Sequence, residues 1–186
     1  MRFFMGAAAC LVLAGCGAIT PPPDTARIYP GNFGLLDNDV GAINDAQWAW
    51  ASPSRVRGNP VDGARAVAAV DYLAGELTTS PRWDHMSPLT KLEMLQARAA
   101  VREAMGIAPS ARSQDVVDSL LRTAAALENH DQPAALAALR TPVYTQPPEQ
   151  TYAKLSALPF VHIANIATQH AAQQEFPEDS GGGQFF

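Results

Sequence analysis

Two cysteines in 186 residues leave little room for thiol chemistry. No CxxCH is present for a c-type haem, and no CxxC pair for a structural zinc. None of the four histidines falls in an HExxH, and no serine occupies a GxSxG elbow. Asp37, Asp39 and Asp45 lack the glycine and closing glutamate that complete a calcium loop, so they read as exposed turn residues. The sequence therefore predicts no catalytic residue, no cofactor and no metal. Only 17% of residues are charged, with acids in excess and a formal net charge of −5. That balance excludes a nucleic-acid footprint and, taken over the whole surface, disfavours anionic headgroups. No run of alternating β-branched residues predicts a sheet, and no repeat of solenoid period occurs.

What is present begins at the N-terminus. Arg2 precedes the short apolar stretch Phe3 to Leu13, which is too short for a permanent membrane span, and Leu13-Ala14-Gly15 leads directly to Cys16. This pattern resembles the signal and lipobox of bacterial lipoproteins. The resemblance implies cleavage before Cys16, lipidation of its thiol, and membrane attachment through more than one acyl chain. Under the family's enterobacterial sorting rule, Gly17 implies the outer membrane, with the domain facing the periplasm. Processing would discard Cys10 and Arg2, leaving no disulfide and a formal charge of −6.

Residues 1–15 are thus expected as signal peptide, 16–31 as lipidated Cys and flexible tether, 32–176 as a helical domain, and 177–186 as a disordered tail. Three prolines, Pro21 to Pro23, favour an extended tether. Asn32 to Asn59 is irregular and aromatic-rich, with a short helix over Ile43 to Trp50. Trp48 and Trp50 cannot share one helical face, so one is expected inside and the other near the Arg55 and Arg57 loop.

Helical periodicity dominates the rest. Asn59 with Pro60 starts a helix running to about Leu77, apolar on two sides and therefore expected at the centre. Ser87 with Pro88 starts the next, which Gly106 closes at Met105. It carries one stripe of Leu92, Leu95 and Ala99, another of Met94, Ala97, Val101 and Met105, and a basic strip of Lys91, Arg98 and Arg102, read as a solvated face paired with acidic neighbours. Ser110 or Ser113 is the expected cap of a third helix ending at Glu128, and Asp131 the cap of an alanine-rich turn or two. Two further helices follow, from about Gln150 and over Phe160 to Gln174. His162 and His170, eight residues apart, are about 12 Å apart along the axis and do not share a metal ion. The fold class predicted is all-α: one irregular bundle of five or six helices behind a Pro-rich tether.

Three classes of function remain. The leading expectation is a non-catalytic lipid-anchored protein that docks on another envelope component. Its surface is expected to include Trp48, Trp50, Arg55, Arg57 and Trp83, since tryptophan and arginine anchor interfaces. A second class is a small-ligand, glycan or lipid-binding module using the Trp83-Asp84-His85 loop. A cell-wall-acting enzyme is the third, and no residue pattern singles out its acid or base.

Overall fold

A computed structural model describes residues 23–34 and 37–175. Cys16, the signal peptide, the proline run before Pro23 and the tail from residue 176 lie outside the described residues, as do Leu35 and Leu36. Among those described, seven α-helices pack into an all-α bundle with no strand. A lone antiparallel bridge joins Ile107 to Tyr144. None of these helices is long and apolar enough to cross a membrane.

The helices are α1 (Asn38–Ala51), α2 (Pro60–Thr79), α3 (Pro88–Met105), α4 (Ser113–Glu128), α5 (Gln132–Ala138), α6 (Pro148–Leu155) and α7 (His162–Gln173). The seventh helix arises because Asn38 to Ala51, α5 and α6 are all distinct, one more than the five or six expected. The boundaries follow local chemistry. Asn59 Oδ1 accepts from the Asp62 amide at the start of α2, and Ser87 Oγ from the Thr90 amide at the start of α3. Gly106 ends α3 with φ at 70°, a left-handed cap that a side chain would strain. Asp131 Oδ1 accepts from the Ala134 amide and starts α5.

Asp37-Asn38-Asp39 is not the free turn its composition suggests. Asp37 caps α1 by accepting from the amides of Asp39 and Val40, so the helix begins five residues before Ile43. A turn-forming side chain at the right position serves as a helix start.

The two apolar sides of α2 are both covered. It packs against α1, α3, α4 and α6, and Ala66 to Leu73 are all buried. Its small residues let neighbours approach closely: a Cβ on Gly63 would lie 2.0 Å from the Leu155 carbonyl oxygen. Outside this centre α7 lies across α1 and α3, and α5 against α4.

The segment expected to be a free tether is partly an arm on the domain. Ala26 is buried, Ile28 packs against the core, and Asp24 and Thr25 lie over Gly75 of α2. Small residues on α2 leave the space, and polar bonds from Asp24 hold the backbone in it.

Candidate functional site

Within the core, Asp71 is a lone acid in an otherwise apolar stretch of α2, and Arg102 reaches it from α3. Arg102 Nε donates to Asp71 Oδ2 and Nη2 to Oδ1, each at 2.7 Å. The same guanidinium donates to the carbonyls of Pro109 and Ala111, to Ser113 Oγ and to Asp24 Oδ2. Burial works against the charged guanidinium, and Asp71 and Asp24 more than offset it, so its pKa stands above the ordinary arginine value. Every donor is spent. This arrangement holds elements together and offers no proton to a substrate.

In the basic strip predicted on α3, Arg98 and Arg102 are paired with acidic neighbours, as expected, but are not on a solvated face. Arg102 is buried, and Arg98 donates to the Asp24 carbonyl and to Ser113 Oγ. The cap of α4 is likewise not its own serine. Asp24 Oδ1 accepts from the Ser113 amide at 2.8 Å, so a residue 89 positions upstream starts the helix. Burial opposes the Asp24 charge, but Ser113, Arg102 and Arg98 together hold its pKa below the usual carboxylate value.

A second polar cluster sits at the start of α1. Asp39 accepts from the Tyr72 hydroxyl, from Trp83 Nε1 at 3.3 Å and from Arg82 Nη1 at 3.1 Å. Arg82 also pairs with Asp37 and lies 4.8 Å over the Trp83 ring. Burial and the Asp39 bond push the Tyr72 hydroxyl far above the ordinary phenol range.

The residues expected to form one docking or ligand surface do not come together. Trp50 is fully buried, its Nε1 donating to the Ala66 carbonyl, and Trp83 is 1% exposed. Both indoles find a buried acceptor, which lets the core take them. Neither is available as a surface anchor. Trp48 remains 43% exposed, and its carbonyl accepts from Arg55 Nη1 at 2.9 Å, with Arg57 exposed in the loop beyond. Asp84 and His85 are exposed at the other end, where His85 Nε2 meets the Gln174 carbonyl at 3.0 Å and its ring tilts against Trp83. Trp83 bonds near the start of α1 and Trp48 lies near its end. About 13 Å of helix separates Asp39 from Trp48. His162 is exposed, and His170 Nδ1 lies 2.6 Å from Glu93 Oε2. No group of three His, Cys, Asp or Glu among the described residues could hold a metal ion.

The surface that sequence reasoning missed is the outward face of α3. Met94, Ala97, Val101 and Met105 are buried, which turns the other stripe to solvent: Leu89 is 61% and Leu92 50% exposed. Leu95 and Ala99 continue it into an open groove of about 690 Å³ that Ile107 and Pro109 also line. Asp24, Arg98, Arg102, Glu103 and Thr145 supply its polar lining. The signal was in the sequence as two apolar stripes on one helix. Nothing local said which of them the bundle would cover.

In comparisons with known proteins, no family model, no curated protein and no solved structure matches this chain.

Proposed function

We propose that the chain is a non-catalytic, lipid-anchored protein of the bacterial envelope that docks on another envelope component through the outward face of α3. The observation that carries the docking surface is the pair Leu89 and Leu92, two large aliphatic side chains one turn apart and at least half exposed. They continue through Leu95 and Ala99 into the groove, giving an apolar strip of about 15 Å along the helix. Such a strip suits a helix or loop laid against it, and the polar lining at Arg98, Glu103 and Thr145 supplies register. The polar clusters described above are spent on each other, which favours binding over chemistry. Attachment rests on the lipobox at Cys16, and the outer-membrane, periplasm-facing location on Gly17.

The same groove favours a second reading, a small-ligand or glycan site, because its volume lies in the range of small-molecule pockets. The two are separated by photo-crosslinking in the native membrane from a probe at Leu92 and, as control, at Trp48. A single protein adduct at Leu92 and not at Trp48, together with an acylated Cys16 peptide by mass spectrometry, is the expected result. A solitary monomer at both positions overturns the docking reading.

A further inference from the structure

Most of the described arginines are engaged. Arg65, Arg82, Arg98, Arg102 and Arg112 pair with carboxylates, and Arg55 donates to a carbonyl. Arg27, Arg57, Arg122 and Arg140 have no carboxylate partner among the described residues, and two of these four line one groove. It runs between the N-terminal arm and α4, with a volume of about 330 Å³. Arg27 stands on the arm, and Arg122 on α4 spends only Nε, on the Asp118 carbonyl of its own helix. Ile28, Leu121 and Ala125 supply its apolar surface, and Tyr29 stands beside them 80% exposed. The one acid in the wall, Asp118, already accepts from Gln114 Nε2 at 2.8 Å.

Two guanidiniums, an apolar floor and an exposed tyrosine match an anionic headgroup with the start of its acyl region. We propose that this groove seats an acidic phospholipid of the anchoring leaflet and so fixes which side of the domain lies against the membrane. Charge complementarity selects an anion, and the covalent path selects the leaflet. Arg27 is eleven residues from Cys16, an extended span of at most about 40 Å. The wall of the groove is therefore the same chain that the lipid would hold at the bilayer. Gln114 keeps that wall in place by accepting from the Arg27 amide and donating to the Arg27 carbonyl. Tyrosine rings settle at headgroup depth, and arginines near an acidic surface add to binding one by one. The overall acidic charge does not cancel this, since acids more than about 8 Å away are screened at physiological salt. With α4 and the arm facing the lipid, the membrane would also limit how a partner reaches the α3 face.

The orientation rests on the anchored reading of Cys16, whereas the affinity of the groove does not, and the test separates them. A full chain carrying Cys16→Ser, checked for folding by circular dichroism, is sedimented with vesicles of phosphatidylcholine alone or mixed with phosphatidylglycerol. Binding is expected only to the mixed vesicles, weakening with salt. It should fall roughly twenty-five-fold in Arg27→Gln/Arg122→Gln, from about fivefold per arginine, and be unchanged in Arg57→Gln/Arg140→Gln. No binding, binding equal on both vesicles, or equal loss in both double variants overturns the proposal. The mass of Cys16 in protein purified from membranes tests the anchor separately, and an unmodified thiol would refute the anchored orientation while leaving the vesicle result standing.

Discussion

Arg102 closes a two-point ion pair with Asp71 across the α2–α3 contact, with both nitrogen-to-oxygen distances at 2.7 Å and both side chains almost fully buried. A buried pair of this kind is costly to break and cheap to replace. Arg102→Ala leaves the Asp71 carboxylate uncompensated and should lose about 3–5 kcal/mol in urea unfolding. Asp71→Leu/Arg102→Met should recover most of that loss. A double variant no more stable than Arg102→Ala would show that the other bonds of Arg102, to Pro109, Ala111 and Ser113, matter more than the pair.

Asp24 ties the arm to α4 by accepting from the Ser113 amide and to α3 through Arg98 and Arg102, and its pKa is lowered in the folded protein. A lowered acid stabilises the fold above its unfolded pKa and loses that contribution as the pH falls through the folded value. The arm is therefore expected to come loose on acidification below the ordinary aspartate range, and Asp24→Asn should be weakened at neutral pH with a flatter acid limb. Hydrogen exchange at the Ser113 and Arg27 amides across pH reads this directly. Equal acid limbs in both proteins would contradict it.

Asp45 works in the other direction. Burial raises its pKa, Arg65 offsets part of that, and Asp62 adds to it. The folded state thus holds the proton more tightly than the unfolded chain, so stability falls as the pH rises through the interval between the two values. Asp45→Asn should be the more stable protein at neutral pH and lose that advantage in acid. Thermal melts at two pH values suffice to find the sign.

Gly63→Ala puts a Cβ against the Leu155 carbonyl, a backbone atom that cannot rotate away. Helix propensity alone would favour alanine by about 0.5–1 kcal/mol. The clash should reverse the sign and cost about 3 kcal/mol, the upper part of the overpacking range. Urea midpoints for Gly63→Ala decide whether α6 can shift to make room.

Trp50→Ala should cost about 3–5 kcal/mol, whereas Trp48→Ala should stay within about 0.5 kcal/mol of the parent. Leu89→Glu belongs with the second, since its side chain is 61% exposed. If α3 docks on a partner, Leu89→Glu abolishes the crosslink from the probe at Leu92 while the melting temperature is unchanged. An intact crosslink in Leu89→Glu would remove α3 from the interface.

Much of the helical order was legible because its causes are local. Asn59-Pro60, Ser87-Pro88, Gly106 and Asp131 act on amides and dihedral angles within a few residues of themselves, and each marks a helix end. The 3.6-residue period then identified both covered sides of α2. The start of α4 at Ser113 was legible, but its cap was not, because the capping carboxylate comes from Asp24 and a serine in the right place concealed it.

The candidate surface was less legible than the fold. Tryptophan content pointed to Trp50 and Trp83, but composition cannot say whether an indole will find a buried acceptor, as these do at Ala66 and Asp39. Nor could it choose between the two stripes of α3 or foresee that Arg102 would sink onto Asp71. The sequence by itself determined where helices begin, end and turn apolar, since those follow from steric and hydrogen-bonding preferences of neighbouring residues. Tertiary structure alone decided which apolar face is covered and which charges are spent, because both depend on contacts between segments as far apart as Asp24 and Ser113.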